Sequence, residues 1–331
     1  MTDLSQQDHL DHQEEKKESL KVNQSQSSTG QPQSVKDKLE ELGYFIKKDE
    51  DDSYGKLRQI ADDTKGLEWK GQANYDQIAD LLTEHVQQEF QTTYGLQEVW
   101  IPEDKDLEED YHHLPRSNIY MSPEFRDGSQ EDSEDRKALI LIQGTGAVRA
   151  GVWARSVCMN ESLKTGSMLY LVEQAQKNNL AVLVMNPNLR VSGPERSAIP
   201  FCHSMESHAM YVWDKYVLPS KFKKFHIIAH SAGGACLASI QKNYKDTFYD
   251  RTERIALTDS WTIDKSSLDR KQKSWMWENA VHFVASDKPA GAVLRDSERM
   301  NVCMEKSAGH NKHEYTTGYA HEELIKHFGY I

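Results

Sequence analysis

A serine boxed by small residues ends a short apolar run in Phe225–Gly234, which reads Phe-His-Ile-Ile-Ala-His-Ser-Ala-Gly-Gly. Serine is a poor nucleophile at neutral pH, but it attacks carbonyl carbons when a histidine takes its proton and an aspartate fixes that histidine. Ser231 at a strand-to-helix turn has the layout of a nucleophile elbow, which lifts one hydroxyl clear of a sheet. The backbone of such a turn is strained and passes close to the next strand, so small neighbours are needed. Ala232 and Gly233 supply them, and Ala229 stands where glycine is usual. The segment also reads as an ordinary turn capping a helix, since serine is a common N-cap.

The chain after Ser231 offers the remaining parts of a hydrolytic site. Asp259, in Leu-Thr-Asp-Ser-Trp, and Asp287, in Ala-Ser-Asp-Lys-Pro, each follow an apolar run, and His313 follows the last short one. The order Ser, Asp, His is that of α/β-hydrolases. Asp287 occupies the commoner position for the acid and Asp259 the strand before it. The first also fits a plain turn and the second a helix cap, so the residue types leave both open. His310 competes with His313 as the base. Backbone N–H groups at Ala232 and in Gly144-Thr145-Gly146 would face a developing oxyanion. That glycine loop is too short to be a phosphate fingerprint, and no Gly-x-x-x-x-Gly-Lys occurs to bind a nucleotide. The fourteen histidines include no His-Glu-x-x-His, and the pair His310 and His313 lacks further ligands. No cofactor and no metal are expected.

These residues need a sheet to bring them together. Ala138–Ile142, Leu180–Met185, Phe225–Ala229, Arg254–Thr258 and Ala280–Ala285 are short runs rich in aliphatic residues. The stretches between them, Leu169–Asn178, Ser207–Val217 and Ala235–Asn243, have helical length. Buried strands alternating with helices imply a mostly parallel sheet covered on both faces. With Glu98–Ile101, Asn118–Met121 and a last strand at Val302–Met304, the expectation is an α/β-hydrolase-like fold of about eight strands, closed by a helix at His321–Phe328. In such sheets function gathers at the carboxyl ends of the strands. Upstream, Val35–Gly43 predicts a short helix, and Tyr44–Ile46 and Leu57–Ile60 a hairpin. Tyr75, Ile78, Leu81, Leu82, Val86 and Phe90 recur at helical spacing over Ala73–Gln91. The domain reading is a polar tail over 1–34, a helix and hairpin extension packed on the core over 35–95, and the hydrolase-like domain over 96–331.

Composition bounds the partners. The 331 residues carry a formal net charge of −12, and mean hydropathy is −0.75. Direct nucleic-acid binding usually draws on an excess of Lys and Arg. The basic clusters here, Lys221–Lys224 and Arg270–Lys273, are short enough to read as solvated faces. Met1–Ser34 holds four aliphatic side chains after the initiator and is expected to be disordered. The acidic Asp127–Asp135 run reads as an exposed loop. No apolar run approaches the roughly 20 residues of a membrane span, and the N-terminus does not read as a secretory signal. Four cysteines far apart, Cys158, Cys202, Cys236 and Cys303, fit reduced thiols in the cytosol or nucleus.

Several blocks in order complete the reading: Gly144-Thr145-Gly146-Ala147-Val148-Arg149-Ala150-Gly151-Val152-Trp153, Asn186-Pro187-Asn188, Tyr211-Val212-Trp213-Asp214, Ala229-His230-Ser231, Leu257-Thr258-Asp259-Ser260, Ser307-Ala308-Gly309 and Lys312-His313-Glu314. Together they resemble the Argonaute-binding "Arb-two" domain, most closely in the animal cotranscriptional regulators, over roughly residues 35 to 328. The resemblance implies an α/β-hydrolase-like fold in a protein that assembles partners: Argonaute complexes, chromatin or alternative-splicing factors, in the nucleus with cytoplasm as an alternative. It carries the nucleophile onto Ser231, the base onto His313 and the acid onto Asp259. Two features depart from the family. The basic insertion that some relatives carry after the Asn-Pro-Asn strand is nearly absent between Leu189 and Ser204. The chain also ends Phe328-Gly329-Tyr330-Ile331, without the retention-like C-terminus of some relatives. An active serine hydrolase cleaving an ester, thioester or amide is the competing expectation.

Overall fold

A computed structural model describes residues 33–50, 52–127, 136–193, 195–295 and 301–330. The tail expected over 1–34 and the acidic run at 127–135 fall almost wholly outside these residues. A first helix, α1 (Val35–Glu41), is closed by a capping box in which Ser34 and Asp37 exchange hydrogen bonds. The hairpin β1 (Tyr44–Lys47) and β2 (Lys56–Gln59) follows, and then the 21-residue helix α2 (Gln72–Thr92). The buried residues of α2, Ile78, Leu82, Val86 and Phe90 among them, lie on one stripe.

Nine strands form the central sheet: β3 (Gln97–Ile101), β4 (Ser117–Met121), β5 (Ala138–Ile142), β6 (Ala181–Val184), β9 (Phe225–His230), β10 (Thr252–Thr258), β11 (Ala280–Val284), β12 (Val293–Arg295) and β13 (Met304–Ser307). A separate two-stranded hairpin, β7 (Val191–Ser192) and β8 (Ser197–Ala198), lies between β6 and β9. The sheet order is β12-β13-β11-β10-β9-β5-β6-β4-β3. The six strands from β13 to β6 run parallel, and β12, β4 and β3 pair antiparallel at the edges. The expected strand at Val302–Met304 runs instead over Met304–Ser307, and β12 is an edge strand that the apolar pattern did not announce.

Alternation along each central strand divides the core into two layers. Leu139 and Leu141 of β5, Ile228 of β9 and Ala256 of β10 face the layer that also holds α1, the hairpin, α2 and the helices α3 (Leu169–Lys177) and α7 (His321–Phe328). Ala138, Ile140, Ile142, Phe225, Ile227, Ala229, Ile255 and Leu257 face the opposite layer. The helices α4 (Met205–Val212), α5 (Gly233–Asn243) and α6 (Arg270–Asn279) cover that side. The four cysteines are free and buried, and burial pushes each thiol up to about 12. Among the described residues no helix is long and apolar enough to cross a membrane.

Candidate active site at the switch point of the sheet

Chain direction across the sheet reverses its progress between β5 and β9: β6 lies on one side of β5, and β9, β10 and β11 follow on the other. Loops leaving the carboxyl ends of β5 and β9 therefore part, and they open a crevice where open α/β sheets bind ligands. Gly144 lies just beyond β5 and Ser231 just beyond β9.

Ser231 adopts φ 53°, in the left-handed region that ordinarily favours glycine. Besides a turn bond from the Gly234 N–H to its carbonyl at 3.2 Å, three hydrogen bonds fix its backbone. Its N–H donates to Thr258 O at 3.1 Å, and its carbonyl accepts from the Trp261 N–H at 3.1 Å and the Ser260 hydroxyl at 2.7 Å. The need for small neighbours is now explicit. A Cβ on Gly233 would lie 2.6 Å from Ile142 O, and one on Gly234 would lie 1.8 Å from Trp261 O. The first glycine lets α5 start against the end of β5, and the second lets it start against the loop after β10.

The Ser231 hydroxyl donates to His313 Nε2 at 2.9 Å, and His313 Nδ1–H donates to Asp259 Oδ2 at 2.6 Å. This tautomer follows from the acceptor on Nδ1. Asp259 is itself held: its N–H donates to Phe283 O at 2.7 Å, and its second carboxylate oxygen accepts from Ala285 N–H at 3.3 Å. His313 comes from a short turn after β13 and is 49% exposed, so the relay opens to solvent. The other two candidates lie elsewhere. Asp287 bonds to Asn311 Nδ2 at 2.6 Å, and the His310 ring stacks on Tyr315 at 4.3 Å while its Nδ1 accepts from Lys312 N–H.

Gly144 touches the nucleophile. A Cβ there would lie 2.6 Å from Ser231 Cβ and 3.2 Å from its Oγ. The N–H groups of Thr145 and Ala232 donate to no acceptor among the described residues, which leaves them free for an oxyanion.

Two buried imidazoles that the sequence did not single out flank the relay. The His230 ring lies 4.9 Å from that of His313, and its Nδ1–H donates to Thr258 O at 2.9 Å. Burial, reinforced by the neighbouring His313, lowers its pKa to about 4. His282 Nε2 accepts from the Ser260 N–H at 3.0 Å, and burial brings it also to about 4. Both are neutral at pH 7 and add no charge beside the Asp259 carboxylate. Histidines inside apolar strands were the available signal. Ser260 carried none beyond its place after Asp259. Among the described residues no group of three or more His, Cys, Asp or Glu is arranged to hold a metal ion.

A central parallel sheet with a strained serine at its switch point, an aspartate after the next strand and a histidine after the last parallel one defines an α/β-hydrolase-like protein. A family model for the Arb2 domain matches residues 35–290. The chain belongs to the Arb2-domain family. It is 27% identical over 312 residues to the "Cotranscriptional regulator ARB2A homolog" of Xenopus tropicalis, covering 78% of this chain and 70% of that protein. Its identity to the Dictyostelium discoideum protein of the same name is 27%, covering 87% and 78% of the two chains. With the "FAM172 family protein homolog Y75B8A.31" of Caenorhabditis elegans it shares 30% identity over 84% and 82%. Among solved structures, a histone deacetylase from Saccharomyces cerevisiae aligns at TM-score 0.47 and 12% identity, over 76% of this chain and 96% of that one.

Proposed function

We propose that this chain is a cotranscriptional regulator that acts in the nucleus through protein partners, on an α/β-hydrolase-like scaffold. The observation that carries the reading is the family match over residues 35–290, with relatives so named in animals and Dictyostelium. A net charge of −12 suits protein partners better than phosphate backbones. Argonaute complexes, chromatin proteins and splicing factors are the partner classes proposed. Affinity purification of the tagged full chain from nuclear extract tests this. Recovery of proteins of those classes, unchanged by Ser231→Ala, is the expected result. Recovery of metabolic proteins alone, or of none, overturns it.

One specific observation favours a second reading, a serine hydrolase acting on an ester, thioester or amide. It is the continuous relay from Ser231 Oγ through His313 to Asp259, at 2.9 and 2.6 Å. His313 would take the hydroxyl proton as Ser231 attacks the carbonyl carbon, and Asp259 would stabilise the imidazolium. The oxyanion would sit against the Thr145 and Ala232 N–H groups. Collapse would expel the leaving group with the proton from His313, and water would then release the acyl group by the same path. A fluorophosphonate probe is expected to label the wild type and not Ser231→Ala. Absence of labelling on folded protein overturns this reading and leaves the regulator intact.

A further inference from the structure

Asn186 and Asn188, at the carboxyl end of β6, have no part in the relay, yet both hold the glycine loop beside it. Asn188 Nδ2 donates to the Gly144 carbonyl. The fully buried Asn186 accepts from Ala150 N–H at 3.1 Å and from Gln143 Nε2 at 3.2 Å, and donates to Asn118 Oδ1 at 2.8 Å. The loop from Gly144 to Ala150 is thus gripped at both ends by one short segment.

Peptide geometry gives this grip a consequence. A trans peptide holds its C=O and N–H on opposite sides. With the Gly144 oxygen turned to Asn188, the Thr145 N–H of the same peptide is turned away from it. Gly144 is packed against Ser231 Cβ and Oγ, so this peptide begins at the nucleophile. Glycine leaves the preceding torsions soft, and Gly146 adopts φ 124° two residues later. Such a peptide can rotate unless something outside the loop fixes its plane.

We propose that Asn188 is a positioning residue that fixes the plane of the Gly144–Thr145 peptide and so aims the Thr145 N–H at the oxyanion formed on Ser231. Asn186 secures the far end of the same loop. The proposal rests on the hydrolase reading of Ser231, and its test separates the two. Asn188→Asp keeps the shape and removes the donor; Asn188→Leu keeps the size and removes all polarity. Labelling rates with a fluorophosphonate are measured for wild type and both variants across pH, with crystal structures of the wild type and the Asp variant.

Loss of one oxyanion donor typically costs about 10²–10³-fold, and that slowing is expected in both variants. The rate–pH midpoint of the Leu variant should not move, because the His313–Asp259 pair is untouched and no charge is added. The Gly144 carbonyl should be rotated in the Asp variant. Slowing of less than about threefold in both variants, or slowing with a displaced midpoint in the Leu variant, overturns the proposal. If the wild type is not labelled at all, the hydrolase reading fails and the crystal structures decide the role of Asn188. A Gly144 carbonyl that keeps its orientation in the Asp variant then overturns it, and a rotated one supports it.

Discussion

Lowering the pH from neutral should strongly destabilise this protein before its carboxylates titrate, because several histidines are folded into the core as neutral rings. His208, His230, His282 and His321 are all buried. Burial is the first cause of lowered pKa in each, to about 3 for His208 and His321 and about 4 for His230 and His282. Unfolding returns each ring to its ordinary 6.5. Between the folded and unfolded values the unfolded chain binds more protons, so stability is fully present above the unfolded pKa and falls as pH drops below it. At one pH unit below the unfolded value each ring costs somewhat over 1 kcal/mol, and the four together roughly 5–6 kcal/mol. That is a large part of the roughly 5–15 kcal/mol that holds a typical domain together. The carboxylates with lowered pKa, such as Glu103 and Glu253, lose their contribution only at lower pH and do not oppose the effect. Urea unfolding at about pH 7.5 and pH 5.5 gives the slope, which should correspond to between three and four protons taken up on unfolding near the lower pH. His208→Leu should lower stability at neutral pH, because the Asn186 N–H loses its acceptor at 3.0 Å. The same change should flatten the slope by about one proton. A difference under about 1 kcal/mol between the two pH values would refute the reasoning.

Asp259→Asn should slow fluorophosphonate labelling by about 10⁴-fold through loss of the correct tautomer, whereas Asp287→Asn should change it less than about threefold. Equal effects, or the reverse order, would remove Asp259 from the relay. Gly234→Ala places a methyl 1.8 Å from Trp261 O and must move the elbow helix or the loop beside it. It should cost at least about 1–3 kcal/mol in thermal or urea unfolding, and a neutral result would mean that the loop yields freely. Ser231→Gly should abolish labelling yet leave stability unchanged or raise it by up to about 1 kcal/mol, since it relieves a left-handed residue. A clear loss of stability would make the serine side chain structural.

The parallel strands were legible because each is an apolar run of strand length between helical stretches, as in Ala138–Ile142 and Phe225–His230. What escaped were strands whose side chains do not declare them. Met304–Ser307 contains Glu305 and Lys306 and forms because its backbone pairs with Val281–Val284 on one side and β12 on the other. The apolar Val302 and Cys303 just before it are buried in the core, and they drew the expected strand about two residues too early. At the site, residue type and chain order could nominate Ser231, His313 and two aspartates. They could not choose between the aspartates, because that choice depends on which strand end faces the turn carrying His313. Asn186 and Asn188 stood in a recognisable block with no chemistry attached, since their work is done on the backbone of a loop more than thirty residues away.

Two members of the relay carry backbone strain. Among the described residues five non-glycine positions have positive φ, and Ser231 and Asp259 are two of them. Each such conformation costs of order 1–3 kcal/mol and persists only where the surroundings impose it. The bonds that impose it all fall on the Ser231 backbone, to Thr258 O and from the Ser260 hydroxyl and the Trp261 and Gly234 N–H groups, and a glycine would make them with less strain. The side chain that bears the cost contributes one contact of note, the hydroxyl to His313, on a ring that is half exposed and closes no core. Packing therefore explains the turn but not the serine in it. The hydrolase reading proposed above would account for the serine, because there its hydroxyl meets a carbonyl carbon.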